Sequence, residues 1–334
     1  MMWNWLVSAL ASEATLVLFD GSPFYPMPKS LFDLAEEEEV TVFGTSAKYL
    51  ASLEKQGVKP CETNDLSELR CILSTGSPLS SRSFRYVYRD VKSEISLASI
   101  SGGTDIISCF VLGNPCLPIW EGEIQCIGLG MAVEVWDEYG NSVRQKKGEL
   151  VCRKPFPSAP IYFWNDKHNE KYLATYFGVF PGVWVQGDNA EISSHSGIVI
   201  HGRTDSILNP AGVRIGTAEI YRQLETFNEL VDYVCVDQVW EDDVRVILFV
   251  VLENGVEMTD DLRSSISSTI REETTPRHVP KKIIAVADIP RTMNGKIAEL
   301  AVRKVLHNEP VINVDALANP ESLDLFRNLT ELTE

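Results

Sequence analysis

Residues 202–220 read GRTDSILNPAGVRIGTAEI, and this stretch divides the chain into two parts of different texture. Arg203 and Arg214 stand eleven residues apart, on either side of a loop that contains glycine and proline. Two arginines in this arrangement are able to converge on one anion, because the planar guanidinium is the preferred donor to phosphate oxygens. Taken alone, the pattern also fits surface arginines that flank a hairpin. We expect a domain boundary near Asp205.

The part before this stretch alternates between strand-like and helix-like segments. The pattern predicts strands over residues 14–20, 40–45, 69–75 and 94–100, with helices over 30–39 and 79–91. Such alternation is typical of βαβ units and a largely parallel, buried sheet. Residues 128–152 instead alternate apolar and polar side chains around Gly140-Asn141, which predicts an antiparallel hairpin.

The part after the stretch has the pattern of a small α+β unit. We predict helices over residues 218–227, 259–273 and 297–307, a strand pair over 233–239 and 244–252, and a strand over 281–287. The tail from Pro310 is polar and weakly patterned. The predicted fold class is therefore α/β. Residues 1–205 are predicted to belong to a large domain with parallel sheets and a β-rich part, and residues 206–334 to form a small α+β domain with its tail.

Composition excludes several classes of function. The 334 residues carry 47 Asp and Glu against 30 Lys and Arg, a net charge of −17, and 44% are hydrophobic, as in a folded globular protein. This acidity argues against nucleic acid or an anionic membrane as the main partner. It leaves room for anionic substrates at a local basic site.

Signals for targeting and for oxidised cysteines are mostly negative. No apolar run approaches the roughly 20 residues of a membrane span. The apolar start ends in Ala-Leu-Ala, which resembles the cleavage region of a signal peptide, but the first basic residue is Lys29, so the positive region that precedes such a peptide is missing and we do not expect secretion. The seven cysteines include no Cys-x-x-Cys pair, which favours thiols in a reducing compartment over zinc or disulfides. We therefore expect the cytosol.

Three further stretches carry polar residues that are suited to binding or catalysis. The first is Ser101-Gly102-Gly103-Thr104-Asp105 at the end of a predicted strand. Its glycines let a backbone approach a ligand, Thr104 offers a hydroxyl to a phosphate, and Asp105 is suited to a divalent metal. Alone, Ser-Gly-Gly is also an ordinary turn.

The other two stretches are equally short. Gln186-Gly187-Asp188-Asn189 follows an apolar run, and Asp188 there suits a ribose diol, although a turn Asp that caps its own backbone fits as well. Residues 290–297 read PRTMNGKI, and Lys296 in this loop is able to act as a movable positive charge on phosphate and carboxylate. By itself a Gly-Lys turn means little.

In order and spacing, the four stretches together resemble the AMP-forming acyl-CoA synthetase superfamily. The pattern Gly-Arg-x-Asp…Gly-x-Arg-Ile…Glu-Ile stands at 202–220, and Pro-x-Thr-x-x-Gly-Lys-Ile stands at 290–297. The runs MMWNW at 1–5 and PRHVPKKII at 276–284 make the resemblance closest to members that act on acetoacetate. The likeness covers essentially the whole chain. It implies ATP, Mg²⁺, acetoacetate and coenzyme A as the small molecules bound.

The resemblance also implies a role for each matching residue. Gly76, Ser77 and Pro78 correspond to the adenine segment, Gly103 and Thr104 to the α-phosphate motif, and Asp105 to the magnesium ligand, where the family more often has Glu. Asp188 corresponds to the ribose ligand and Arg203 to the arginine beside it. Asp205 corresponds to the hinge on which the small domain, the lid of these enzymes, swings. Gly212 corresponds to the strand that lines the pantetheine tunnel. Arg214 corresponds to the phosphate-binding arginine and Lys296 to the catalytic lysine of adenylation.

The implied reaction has two steps. Magnesium, Arg214 and Lys296 would neutralise charge while acetoacetate attacks the α-phosphate, giving an acyl-adenylate and pyrophosphate. Rotation about Asp205 would then withdraw Lys296, so that coenzyme A displaces AMP. No covalent enzyme intermediate is needed, in keeping with the absence of a Cys-His or Ser-His arrangement. The resemblance places this reaction in the use of ketone bodies for lipid synthesis.

Two departures from the family pattern bear on function. Short-acyl members often have an aromatic residue where Gly102 stands, so we expect a roomier, more polar acyl pocket that favours acetoacetate over acetate. The family's Ser/Thr/Gly-rich phosphate loop ending in Pro-Lys is not in these 334 residues, and we expect it upstream of a chain that begins inside the large domain. Two alternatives stay open: a ligase for another short oxo or branched acid, and a non-catalytic fragment that binds nucleotide or partners.

Overall fold

The computed structural model describes residues 8–210, 215–240, 243–293 and 295–333. The chain forms two compact units, Met1–Ile200 and His201–Glu334. Each unit has its own buried apolar clusters. The domain boundary that the sequence predicts near Asp205 stays a prediction.

A three-stranded parallel sheet forms the first layer of the Met1–Ile200 unit. Its strands are β1 (Val42–Ser46), β2 (Cys71–Thr75) and β3 (Ser96–Ser99), paired in that order. The helices of this layer are α1 (Ser30–Glu37), α2 (Ala47–Lys55), α3 (Pro60–Thr63) and α4 (Ser81–Tyr86). Serine hydroxyls fix two helix starts, because Ser46 accepts from the Tyr49 amide and Ser80 from the Ser83 amide. The predicted parallel sheet is confirmed.

The rest of this unit is rich in antiparallel strands. One sheet contains β4 (Ser101–Gly103), β5 (Ser108–Leu112) and β6 (Cys126–Ile127). A second has the order β10-β9-β8-β7, with β7 (Val133–Trp136), β8 (Gly148–Cys152) and β9 (Trp184–Ile192), and with β10 (Ile198–Arg203), which begins in this unit and ends in the next. Helix α5 (Glu170–Phe177) lies before β9 in the chain. Antiparallel pairing of β7 with β8 confirms the predicted hairpin around Gly140, whose φ is +81°.

The predicted strand over residues 14–20 is wrong. The structure assigns neither helix nor strand there, and the side chains are mostly exposed, Leu18 by 71%. A strand is stabilised by pairing with a neighbour, and within the described parts of the chain no ladder reaches these residues. The apolar composition of the run therefore does not make it a strand.

The His201–Glu334 unit is built around a mixed sheet. Strands β11 (Leu230–Trp240) and β12 (Asp243–Leu252) are antiparallel, and β13 (Lys282–Ala285) joins β12 in parallel. The helices of this unit are α6 (Thr217–Leu224), α7 (Asp260–Glu273) and α8 (Glu299–Leu306). The Thr259 hydroxyl accepts from the Leu262 amide and caps the start of α7. The predicted helices and strands of this part are all present, with slightly different ends.

Both faces of this sheet are buried, since alternate residues of β11 and β12 belong to different apolar clusters. Cys235 and Leu248 pack with residues of α6 and α7, whereas Val234 and Phe249 pack with residues of α8 and the tail. The tail from Pro310 is therefore more than a polar extension. Its short 3₁₀ helices Val314–Ala316, Pro320–Phe326 and Thr330–Leu332 bring four apolar side chains into the core: Leu317, Leu323, Phe326 and Leu332.

Two further expectations concern cysteines and membranes. All seven cysteines are free thiols, and three of them are buried, as expected for a chain without a disulfide framework. Among the described residues, no helix combines the length and the apolar character that crossing a bilayer requires.

Candidate active site

Two of the predicted motifs follow neighbouring strands of the parallel sheet. Gly76-Ser77-Pro78 comes directly after β2, and the stretch from Ser101 to Asp105 comes one residue after β3. A bond from the Ile100 amide to the Ser74 carbonyl, 3.0 Å, joins the two strand ends. Gly76, whose φ is +94°, and Ser77 are exposed. In α/β proteins ligands bind at this carboxyl edge of the sheet, so the fold places both motifs where a ligand is expected.

Gly102 and Gly103, in the stretch 101–105, stand where a larger side chain would collide with neighbouring atoms. A Cβ at Gly102 would lie 2.3 Å from the Ser108 carbonyl oxygen and 2.6 Å from the Cys109 Cα on the paired strand β5. A Cβ at Gly103 would lie 1.8 Å from Oδ1 of Asp105. Gly102 thus has a packing role in the β4–β5 pair, whereas the roomier acyl pocket predicted from it stays a prediction.

Asp105 is oriented by aromatic residues that the sequence does not connect to it. The hydroxyl of Tyr176, on α5, donates to Oδ2 of Asp105 at 2.7 Å. The Tyr176 ring stacks on the indole of Trp184 with centroids 3.6 Å apart, and the indole N–H donates to Gln186 Oε1 at 3.0 Å. Thr104 beside Asp105 is exposed. The carboxylate is held from one side and stays partly accessible.

This carboxylate fits a magnesium ion that is shared with a nucleotide. Mg²⁺ is usually held by one or two carboxylates together with phosphate oxygens and water, not by an all-protein cage. No group of three or more His, Cys, Asp or Glu with metal-site geometry occurs in the described ranges. A single oriented carboxylate at the ligand edge of the sheet therefore suits Mg²⁺ bound to ATP.

Asp188 connects the stretch 186–189 to the stretch 101–105. It lies on β9, is 7% exposed, and accepts a hydrogen bond from the Ser101 hydroxyl at 3.2 Å. Gly187 before it has a φ of +78°, a conformation that favours glycine. The structure thus brings Asp188 to the start of β4, and through Ser101 to the same motif as Asp105.

The two remaining stretches, residues 202–220 and 290–297, lie in the second unit. Arg203, half exposed at the end of β10, has its Nε 3.5 Å from Oδ1 of Asp205, which lies in the single turn Thr204–Ser206. The predicted site residues Gly212 and Arg214 are outside the described residues. Lys296 is exposed, and its amide donates to the Thr292 hydroxyl at 3.2 Å. Gly295 before it has a φ of +76°.

A buried cluster joins the segment after Asp205 to the helix after Lys296. The carboxyl of Glu299, at the start of α8, is hydrogen-bonded to Ser206, Tyr221 and Thr217. The Tyr221 hydroxyl donates to it and accepts from the Cys235 amide at 3.0 Å. Burial raises the pKa of Glu299, and burial together with the nearby Glu299 carboxyl raises the pKa of Tyr221 well above its ordinary value. Sequence motifs gave no sign of this cluster.

Comparisons with known proteins agree with this layout. The family model of the AMP-binding enzyme matches residues 1–162, and that of the AMP-binding enzyme C-terminal domain matches residues 228–296. The chain is 60% identical to the acetoacetyl-coenzyme A synthetase of Rhizobium meliloti over 99% of its own length and 51% of that protein. It is 49% identical to the acetoacetyl-CoA synthetase of Gallus gallus over 99% of its own length and 50% of the other. The chain therefore spans about half the length of the curated relatives it matches.

A solved structure gives the same result for the fold. The acetoacetyl-CoA synthetase from Streptomyces lividans superposes with a TM-score of 0.92 at 39% identity, and the match covers 100% of this chain and 52% of that one. The predicted fold class, the later part of an adenylate-forming domain followed by a small α+β domain, is confirmed.

Proposed function

The chain belongs to the AMP-binding enzyme family. From that premise we propose that it carries the nucleotide-binding edge of the parallel sheet and the lid of an acetoacetate–CoA ligase. The main support is the 60% identity to a protein named acetoacetyl-coenzyme A synthetase, which extends over 99% of this chain. The reaction would join acetoacetate to AMP at the expense of ATP and then transfer the acyl group to coenzyme A.

The first unit would bind the nucleotide. Gly76, Ser77 and Pro78 would lie along adenine, Asp188 would accept from the ribose hydroxyls, and Gly103 and Thr104 would contact the α-phosphate. These assignments are supported by the common sheet edge of the Gly76 and Ser101 segments and by the Ser101–Asp188 hydrogen bond. Magnesium would be held by Asp105 and would supply positive charge to the phosphates when bound.

The second unit would supply mobile positive charge. Lys296 would neutralise charge during adenylation together with Arg214, and Arg203 would lie beside the ribose. Asp205 would be the hinge that later removes Lys296, so that Gly212 and its strand line a tunnel for the pantetheine of coenzyme A. The exposure of Asp205 and Lys296 supports roles in a part that moves. Burying either charge permanently would carry a large desolvation cost.

Two half-reactions test the proposal. In one, the chain receives acetoacetate, ATP and Mg²⁺, and pyrophosphate release is measured. In the other, it receives preformed acetoacetyl-adenylate and coenzyme A, and thioester formation is measured. Thioester from preformed adenylate, with or without pyrophosphate release in the other assay, supports the ligase assignment. Absence of both products overturns it and favours a non-catalytic nucleotide-binding fragment.

A matched pair of lysine variants sharpens the assignment of Lys296. Lys296→Ala should abolish pyrophosphate release where the chain performs it and should spare thioester formation. Lys281→Ala, which removes another exposed lysine of the same unit, should change neither product. Equal loss in both variants would contradict a specific role for Lys296.

The identity of the acid is tested by comparing the rates at which different acyl-adenylates are converted to thioesters. We expect acetoacetyl-adenylate to be converted faster than acetyl-adenylate, because the sequence predicts a roomier, more polar acyl pocket where short-acyl members of the family often have an aromatic residue in place of Gly102. Faster conversion of a branched or another oxo-acyl adenylate would instead identify the chain as a ligase for that acid.

A further inference from the structure

The peptide group between Gly295 and Lys296 is hydrogen-bonded at both ends. Its carbonyl oxygen, on Gly295, accepts from Nη1 of Arg291 at 2.5 Å. Its amide nitrogen, on Lys296, donates to the Thr292 hydroxyl at 3.2 Å. The orientation of this peptide fixes the direction in which the Lys296 side chain leaves the backbone, and the Arg291 guanidinium holds one end of it.

Arg291 is itself fixed by a carboxylate on β11. Both Nε and Nη2 of Arg291 donate to Oδ2 of Asp232, the former at 3.0 Å. The Arg291 and Asp232 side chains are 19% and 15% exposed, so this pair is shielded more than an ordinary surface ion pair. The register of β11 shifts between Leu230 and Asp232. Such an irregularity is a common means of redirecting a side chain from a strand.

The C-terminal tail holds the backbone of Arg291 from another side. The Arg291 amide donates to the side-chain carbonyl of Asn319 at 2.8 Å, and the Arg291 carbonyl accepts from the Ala318 amide at 2.8 Å. The Met293 amide donates to the Ala316 carbonyl at 3.0 Å. Strand β11 and the tail together leave this arginine little freedom.

We propose that Arg291 is a positioning residue for Lys296, and that Asp232 and the tail segment Ala316–Asn319 keep it in place. The proposal rests on the adenylation role proposed for Lys296. Lys296 is exposed, and its ammonium group stands at the end of a flexible stem. The ammonium can therefore be placed reliably against a phosphate only if the backbone from which the stem leaves is fixed. Arg291 provides that origin by bridging the lysine turn to the sheet. It contacts no substrate in this role.

The half-reactions separate positioning from general structure. Since displacement of a catalytic group by about 1 Å can cost about a hundredfold in rate, Arg291→Gln should slow adenylation by roughly 10- to 100-fold. Thioester formation from preformed adenylate, which does not use Lys296, should stay within about twofold of the unsubstituted chain. Asp232→Asn should show the same selectivity, and the double variant should be no worse than the more affected single one. Equal loss of both half-reactions would overturn the proposal.

Two further variants serve as controls. Arg291→Lys keeps the charge but loses the planar fork that contacts a carboxylate and a carbonyl together, so it should rescue adenylation only slightly. Arg327→Gln removes a different ion-paired arginine, which lies in the tail and contacts Asp324, and it should leave adenylation unchanged. Full rescue by lysine would reduce the role of Arg291 to charge and would overturn the geometric argument.

An activity-free measurement decides the proposal even where the chain performs no adenylation. Arg291→Gln should accelerate hydrogen exchange of the Gly295 and Lys296 amides about tenfold or more, while amides of the β11–β12 pair exchange as before. Arg327→Gln should leave both sets unchanged. Unaltered exchange at Gly295 and Lys296 in Arg291→Gln would overturn the proposal. If neither half-reaction occurs but exchange changes as expected, the positioning contact stands and the proposed ligase function fails.

Discussion

Tyr221 and Glu299 share a hydrogen bond of 2.5 Å inside the His201–Glu334 unit, with the phenol as donor and the buried carboxyl as acceptor. The same carboxyl is bonded to Ser206, directly after the proposed hinge residue Asp205. The segment after the hinge is thereby tied to helices α6 and α8. Motion about Asp205 would stop at Ser206 on the lid side.

The buried carboxyl predicts a pH dependence of stability. Because burial raises the pKa of Glu299 above its ordinary value of 4.5, ionisation costs more in the folded chain than in the unfolded one. The stability that neutral Glu299 contributes is therefore complete below pH 4.5 and is lost as the pH rises through the raised value. Glu299→Gln cannot ionise, so it should gain in stability relative to the unsubstituted chain between pH 4.5 and pH 8.

The measurement is the midpoint of urea unfolding at each pH, followed by far-ultraviolet circular dichroism, because thiol labelling is itself strongly pH-dependent in this range. The exposed Glu309, changed to Gln, serves as a control whose midpoint should follow that of the unsubstituted chain at every pH. A constant difference in midpoint between Glu299→Gln and the unsubstituted chain across this pH range would contradict the prediction.

The close approach of β4 and β5 predicts a steric effect at Gly102. Gly102→Ala places a Cβ 2.3 Å from the Ser108 carbonyl and should destabilise the first unit by about 1–3 kcal/mol, the usual cost of overpacking. Gly44→Ala is the matched control, since a Cβ there meets nothing within 4 Å, and it should stay within about 0.5 kcal/mol. Urea unfolding followed by labelling of buried Cys109 measures both. Equal midpoints for the two variants would show that β4 and β5 move apart at little cost.

The contact between Tyr176 and Asp105 predicts an effect on metal binding. Tyr176→Phe removes the hydroxyl that orients the carboxylate but keeps the ring stacked on Trp184. Outer contacts of this kind are typically worth 10- to 100-fold in metal affinity, so we expect Mn²⁺, used as a probe for Mg²⁺, to bind about tenfold more weakly with ATP present. Tyr172→Phe removes a hydroxyl that donates to the Pro160 carbonyl and is the control. Similar losses in both variants would assign the effect to the aromatic cluster as a whole.

Burial of the tail predicts a large loss of stability on truncation of one aromatic side chain. Phe326 is 1% exposed and meets Phe249 edge-on at 4.9 Å between ring centroids. Phe326→Ala should cost about 3–5 kcal/mol, as for other buried phenylalanines. Ile312→Ala, at an exposed position of the same tail, should be nearly neutral. Cys235 labelling in urea reports both, and a midpoint unchanged by Phe326→Ala would mean that the tail does not belong to this core.

Local patterns predicted much of the fold because many of its elements carry their own signals. The strands β11 and β12 are recognisable from their apolar runs, and α7 from its threonine cap and acidic first turn. The burial of the tail was not predicted, because Leu323 and Phe326 enter the core from a short 3₁₀ helix, whose three-residue period differs from the α-helical and strand periods that the sequence pattern reports. Residues 14–20 have the composition of a strand, but pairing decides whether a strand forms, and composition does not report it.

The candidate site also has a part that the sequence predicts and a part that it does not. Motifs indicated Asp105, Asp188 and Lys296 because family resemblance acts on short stretches. The groups that orient them come from distant positions: Tyr176 is 71 residues from Asp105, and Asp232 is 59 residues from Arg291. No local spacing encodes contacts of that range.

The stack of Tyr176 on Trp184 also makes the chain a candidate for optical measurement. Trp184 is 3% exposed, and its indole is separated from the Asp105 carboxylate by a single tyrosine. Any change in charge at that carboxylate alters the field at the tyrosine hydroxyl and hence the surroundings of the indole. We therefore expect the fluorescence of Trp184 to respond when an ion binds at Asp105; because the chain has seven tryptophans, the signal is the difference between the unsubstituted chain and Trp184→Phe.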